Sequence, residues 1–179
     1  MGGGRIENCL FKNIDTAGGD IVTIMTGSIV NSTIADCTVN TWVHDKQAAL
    51  TDKCYGLCLT NGTPTVRNVV IANVRARNEA SENRAIGASA TRLESSVVNC
   101  ATDTEEPLNA SCIAGTRKSF FRDGEYAPYF SSRLRNAGAE VSGFESGVDL
   151  AGNPSVFGKV IDIGCYECQT MPGTRIMVR

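Results

Sequence analysis

Four stretches of this chain align with one another without gaps: Ile6-Glu-Asn8-Cys9-Leu-Phe11-Lys-Asn13, Ile29-Val-Asn31-Ser32-Thr-Ile34-Ala-Asp36, Val66-Arg-Asn68-Val69-Val-Ile71-Ala-Asn73 and Val97-Val-Asn99-Cys100-Ala-Thr102. Self-similarity of this kind constrains architecture more than composition does, because each repeat is a unit that buries its apolar face only against its neighbours. Stacked in columns, the stretches give Ile/Ile/Val/Val, then Asn at every repeat, then Cys/Ser/Val/Cys, then Phe/Ile/Ile/Thr, with Asn13, Asp36 and Asn73 as a further column. Around each asparagine the pattern has period two. Ile6, Cys9 and Phe11 face inward, while Glu7, Leu10 and Lys12 face outward, which is strand periodicity.

The asparagines stand 23, 37 and 31 residues apart, an irregular spacing that fits a coil interrupted by loops of unequal length. Asparagine suits the bend of such a coil because it tolerates left-handed backbone angles. Its amide can also bond the next rung, so Asn8, Asn31, Asn68 and Asn99 are expected to form a ladder. The expected fold is all-β: a right-handed parallel β-helix of about three to four coils over residues 1–105, then an irregular C-terminal cap over 106–179 within the same structural domain. An antiparallel sandwich is the alternative. It calls for two-residue hairpin signals, and only Asn61-Gly62 and Asp123-Gly124 supply them.

Further short apolar pieces, Ile21-Val-Thr-Ile24, Leu57-Cys-Leu59 and Ala85-Ile86, would supply the other faces of the coil. Residues 43–52 and 75–84 are polar and read as projecting loops, with a helical turn in each, at Gln47 to Leu50 and at Glu79 to Asn83. The 18 glycines and 6% aromatic content of the 179 residues suit short strands and turns better than a helical bundle. Seventeen basic and 19 acidic residues, spread evenly, give a net charge of -2 and no basic patch for nucleic acid. No apolar run approaches the roughly 20 residues needed to cross a bilayer. The opening Met1 to Arg5 has neither a basic nor an apolar region of a secretory signal. With the repeat already running at Ile6, the sequence reads as the C-terminal portion of a longer, exported or surface precursor.

After Asp103 the repeat stops, and a family resemblance takes over. The run from Gly147 to Glu167 contains Asp149-Leu-Ala-Gly152-Asn153-Pro154 and then Asp162-Ile163-Gly164-Cys165-Tyr166-Glu167. It resembles the D-x-x-G-N-P-R and D-I-G-A-Y-E closing motif of bacterial right-handed parallel β-helix surface proteins, the pectin-lyase-like, "choice-of-anchor" type. Gly124-Glu125-Tyr126 and Asn136-Ala137-Gly138 stand where that family has G-D-Y-x-L and S-P-x-I-N/D-A-G. Ser155, Cys165, Arg133 and Arg135 depart from the pattern. The resemblance implies a cap in which Tyr126, Tyr129, Phe130, Val156, Phe157, Ile161, Ile163 and Tyr166 cover the last coil. Asp149, Asp162 and Glu167 would then bond turn amides, as turn carboxylates commonly do. The N-terminal coil would be left with an open edge, a partner for further coils or a second copy.

Enzymes of pectin-lyase-like type cut polysaccharides with clustered carboxylates, often with calcium or a basic residue. Here the Asn13, Asp36, Asn73 column carries one carboxylate, too little charge to hold calcium well. The best sugar-binding candidate is the loop Trp42, His44, Asp45, Lys46, an aromatic ring beside titratable groups and the chain's single histidine. No catalytic residue is assigned and no cofactor or metal is expected. Convergence of three carboxylates, or of a carboxylate with Lys or Arg, in one groove would favour chemistry over display. Of the eight cysteines, Cys9 and Cys100 read as small inward core residues. A four-thiolate zinc site from Cys54, Cys58, Cys165 and Cys168 has only weak spacing in its favour, and a Cys165 to Cys168 disulfide stays open for an exported chain. Three Asn-x-Ser/Thr sequons, at Asn31, Asn61 and Asn109, are expected by chance in so Asn-, Ser- and Thr-rich a sequence. The sequence thus points to a structural or binding scaffold, adhesin-like or glycan-binding, with a remnant of a polysaccharide lyase or hydrolase as the alternative.

Overall fold

A computed structural model of the chain describes residues 3–16, 20–39, 54–60, 62–77, 83–104, 107–142 and 147–170. It is mostly β, with short helices, and the strands of its three sheets pair in parallel throughout. That pairing removes the antiparallel sandwich. Antiparallel contact among the described residues is confined to two isolated bridges, Phe121 to Pro128 and Val148 to Pro154.

The first sheet holds β1 (Gly4–Glu7), β5 (Gly27–Val30), β8 (Thr65–Arg67) and β11 (Val97–Val98) in that order. In the second, β2 (Leu10–Lys12), β6 (Thr33–Val39), β9 (Val70–Ala76), β12 (Ala101–Thr102) and β13 (Ile113–Ala114) lie side by side, with β3 (Asp15–Thr16) also on β6. The third is β4 (Val22–Ile24), β7 (Cys54–Leu59) and β10 (Asn83–Gly87). From β1 to β12, successive strands therefore visit the first, second and third sheets in the same cyclic order. Register follows the sequence columns: Ile6 pairs with Ile29, Ile29 with Val66 and Val66 with Val97. Phe11, Ile34, Ile71 and Thr102 stack in the same way.

The columns stack because like side chains fill like space. Ile29, Val66 and Val97 from the first sheet, Ile34 and Ile71 from the second, and Val22, Leu57 and Ile86 from the third form one buried cluster. Truncating a fully buried aliphatic of this kind, such as Ile71, costs about 2–5 kcal/mol. Asn8, Asn31, Asn68 and Asn99 make the turn from the first sheet into the second with φ of 50°, 45°, 54° and 50°. Asn13, Asp36 and Asn73 make a second left-handed corner within the second sheet, each at φ 54°. Asparagine and aspartate are the non-glycine residues that enter this region at least cost.

The structure departs from expectation in several places. Residues 134–142 and 147–168 run along the side of the stack, against the outer face of the second sheet. Leu134 and Ile163 join Val70, Ala72, Ala101, Phe120 and Phe121 in a second buried cluster, and the Gly164 N–H donates to the Asn68 carbonyl at 2.9 Å. The reason lies in the strands themselves: the outward column Leu10, Thr33, Val70, Ala101, Ile113 is almost wholly apolar and needs a cover. Ile163 is part of that cover, while Val156 and Phe130 are 53% and 40% exposed. Parallel pairing also continues one strand past Asp103, to β13. At the same end of the stack, α1 (Ala90–Ser96) brings Leu93 onto the core together with Leu108. The segment 75–84 is strand at both ends, since β9 runs to Ala76 and β10 starts at Asn83. Of the helical turn expected at Glu79 to Asn83, residues 79–82 lie outside the described residues and Asn83 is strand; the segment 40–53, with the turn expected at Gln47 to Leu50, also lies outside them.

Candidate functional site

Trp42, His44, Asp45 and Lys46 lie outside the described residues. Two other places gather chemistry: the second corner, and a groove beside the first sheet.

At the second corner the left-handed backbone turns the Asp36 side chain toward α2 (Arg117–Phe120). A capping box fixes the start of α2, with Thr116 and Ser119 exchanging side-chain to backbone hydrogen bonds. Arg117 then donates from Nε to Asp36 Oδ1 at 2.9 Å and from Nη2 to Oδ2 at 2.8 Å, a bidentate pair. Asn73 Nδ2 donates to Oδ1 at 2.6 Å, and the Tyr126 hydroxyl to Oδ2 at 2.9 Å. Lys12 Nζ stands 5.1 Å from the Tyr126 ring centroid and the Arg117 guanidinium 5.4 Å from it. Burial works against the Asp36 charge, but the donors from Arg117, Asn73 and Tyr126 outweigh it and hold the carboxyl below its ordinary range.

A carboxylate and basic groups do converge here, yet both carboxylate oxygens are taken by donors. An ionised, fully bonded Asp36 has no lone pair free to accept a proton from a substrate. Beside it, Asp103 accepts the backbone N–H of Asn73. Burial raises its carboxyl. A cavity of about 210 Å³ opens next to it, lined by Asn73, Arg75, Asp103 and Thr104 among others.

The first corner is closed by the C-terminal segment. Asn68 Nδ2 donates to Asn31 Oδ1 at 2.8 Å and to the Ala139 carbonyl at 2.7 Å, while Asn68 Oδ1 accepts the Ala139 N–H at 2.8 Å. Asn8 Nδ2 donates to the Val148 carbonyl and Asn99 Nδ2 to that of Ala137. At Asn68, ladder contact and lateral contact thus share one amide. In the closing motif, Asp149 accepts the N–H groups of Ala151, Asn153 and Glu167, each at 2.9 Å. Gly152 turns the chain at φ 83°, and Pro154 bridges to Val148. Asp162 accepts from the backbone of Asn136 and Cys168, and Glu167 from that of Phe157 and Asp162. Tyr166 is half-buried beside them. Burial, with Asp162 and Asp149 nearby, pushes Glu167 up to about 7.

Where this segment meets the outer edge of the first sheet, a groove of about 470 Å³ remains, lined by Arg67, Glu140, Val156, Lys159, Val160 and Ile161 among others. Arg67 donates to the Glu140 carbonyl at 3.2 Å and Arg5 to that of Ser142 at 3.4 Å, while Arg5 also pairs with Glu7. Val156 and Val160, 53% and 40% exposed, give one wall an apolar surface. The sequence reading missed both Arg117 and this groove. A contact 81 residues from Asp36 leaves no local signal.

Among the described residues no group of three or more His, Cys, Asp or Glu side chains gathers to hold a metal ion. Cys165 and Cys168 are buried free thiols. No described helix is long and apolar enough to cross a membrane. Comparison with protein-family models, with curated proteins and with solved structures finds no match to this chain.

Proposed function

We propose that the chain is part of a right-handed parallel β-helix of pectin-lyase-like, surface-protein type, and that it works as a binding scaffold. The cyclic visiting order of the three parallel sheets supports the fold. Crossovers between parallel strands are right-handed in about 98% of cases, which supports the hand. Display, and not turnover, is supported by how the carboxylates are used: Asp36, Asp149, Asp162 and Glu167 each accept hydrogen bonds that hold the chain to itself.

The groove by Arg67 carries the functional reading. Its apolar wall suits the face of a sugar ring, and Arg67 and Lys159 suit a carboxylate, so the ligand is an acidic glycan at a cell surface or outside the cell. Titration with polygalacturonate and with a neutral glycan, followed by calorimetry, tests it. Binding of the acidic polymer that Arg67→Ala weakens about tenfold or more is expected, since a charge-assisted bond contributes about 1.5–3 kcal/mol. Equal affinity for both polymers, unaffected by R67A, would sink the reading. Like Trp42, His44, Asp45 and Lys46, the N-terminal edge strands remain proposed contacts, there for further coils or a second copy.

A lyase or hydrolase remnant is the second reading, and the gathering of Asp36, Asp103, Arg117 and Lys12 at the second corner favours it. Release of cleavage products from polygalacturonate or alginate, lost in Asp103→Asn, would establish it.

A further inference from the structure

The column that holds Cys9, Ser32, Val69 and Cys100 has a fifth member. β13 pairs with β12 so that Ile113 stands opposite Ala101, and the Ile113 N–H donates to the Cys100 carbonyl at 2.8 Å. One residue earlier in each strand, Cys112 therefore neighbours Cys100. Adjacent strands lie about 4.7–4.9 Å apart, inside the range of Cα separations of about 4.4–6.8 Å that a disulfide spans. The Cys100 thiol donates to the Val98 carbonyl at 3.4 Å. Cys100 is fully buried, whereas Cys112 is only half-buried and lies 4.0 Å from the Ser111 hydroxyl.

We propose that Cys112 and Cys100 are a redox pair, Cys112 the attacking thiol and Cys100 the resolving one, that closes into a disulfide across the last two strands of the second sheet. The oxidant is a small disulfide of the glutathione class. The Cys112 thiolate attacks one sulfur of that disulfide, whose S–S bond breaks and releases one small thiolate. The Cys100 thiol gives its proton to that thiolate or to water and attacks the Cys112 sulfur, and the second small thiolate leaves. Two protein thiols are oxidised, and one small disulfide is reduced to two thiols.

Reactivity follows the same division. The neighbouring Cys100 thiol draws Cys112 below the ordinary thiol range, and burial holds Cys100 well above it. Elsewhere burial and the nearby Asp20 push Cys58 up to about 11, and burial pushes Cys165 up to about 12. The thiolate is the nucleophile, so Cys112 should react about tenfold faster, or more, than either.

The whole chain is incubated with oxidised glutathione at neutral pH, quenched with acid, alkylated and digested with trypsin. Residues 93–117 form one tryptic peptide that contains Cys100 and Cys112 and no other cysteine. In the wild type this peptide should lose two hydrogens before any other cysteine changes, and its halves should stay linked after cleavage at Glu105 or Glu106. Cys100→Val keeps the packing, because Val69 occupies that place one rung away. In C100V the peptide should carry one glutathionyl group on Cys112 and progress no further. Earlier oxidation at Cys58, Cys9 or Cys37, or a wild-type peptide that stops at the mixed disulfide, would overturn the assignment. The wild-type mapping decides this even where a variant fails to fold.

Discussion

The two left-handed corners answer one backbone demand with different chemistry. At the first, asparagine recurs at all four rungs; at the second, the middle rung is Asp36. What faces each corner decides the residue. Carbonyls of Val148, Ala139 and Ala137 face the first, so the side chain there must donate, and an amide does. A guanidinium and a phenol face the second, where the side chain must accept, and a carboxylate does so more strongly. Left-handed geometry selects the pair Asn and Asp; the polarity of the covering segment chooses between them.

Exchanging the two chemistries breaks the comparison most directly. Asn68→Asp sets a carboxylate, 0% exposed, against the oxygens of Asn31 and Ala139. The Ala139 N–H still serves one oxygen, but breaking a buried polar pairing by introducing a charge costs up to about 3–5 kcal/mol, and urea unfolding should show a loss approaching that at pH 7. Protonation restores one donor, so the loss should shrink as pH falls. Asp36→Asn keeps the corner and one acceptor oxygen but discards the charge that Arg117 pairs with. That pair is about one-fifth exposed, and the expected loss is about 1–2 kcal/mol. Equal losses in the two variants would show that the corners are not distinguished by what covers them.

Gly164 tests how closely the cover must approach. Its φ is +115°, and a Cβ there would stand 3.0 Å from Thr33 Oγ1 and 3.2 Å from Val70 Cγ2. Gly164→Ala should destabilise by about 1–3 kcal/mol. Hydrogen exchange should rise at Ile163 and Gly138, whose N–H groups tie the segment together, while Asn73 and the second corner stay protected. Uniform loosening would mean that cover and sheets unfold as one unit.

The corners were legible in the sequence, and what covers them was not. Ile6, Ile29, Val66 and Val97 could be stacked from the page because neighbouring rungs share one interior space, so side-chain type repeats with register. The cover did leave a trace: Val69-Val70-Ile71-Ala72 does not alternate, as expected of a strand buried on both faces. Cys112 and Ile113 continue their columns, but Ser111 stands where asparagine is expected, and a motif search keyed on Asn passes over them. The Asn99 N–H donates to the Ser111 hydroxyl, so serine meets at that rung a need the asparagines meet with backbone carbonyls. Arg117 and Tyr126 reach Asp36 across 81 and 90 residues of chain, a meeting that only the folded cover brings about. Closing-motif carboxylates were readable as amide acceptors because short turns leave N–H groups without partners.

Acidity separates the two regions by sign. The Asp36 carboxyl is held below its ordinary value in the fold, so the unfolded chain binds the proton more readily. Its stabilisation is present above the ordinary carboxyl pKa of 3.8 and is lost as pH falls through the lower, folded value. Glu167 runs the other way. Its folded carboxyl titrates at about 7, against an ordinary value of 4.5, so between the two the fold holds a proton that the unfolded chain has released. The closing motif is then most stable below about 4.5 and loses stability as pH rises to about 7, by at most about 3 kcal/mol once solvent screening is allowed for. Intrinsic-rate-corrected hydrogen exchange at Phe157 and Asp162, whose N–H groups Glu167 accepts, should quicken from pH 5 to pH 8. Glu167→Gln, which cannot titrate, should flatten that slope even if it lowers stability overall. Retained slope in E167Q would move the titration to Asp162, whose carboxyl burial also raises, and slower exchange at higher pH would reverse the sign assigned to this region.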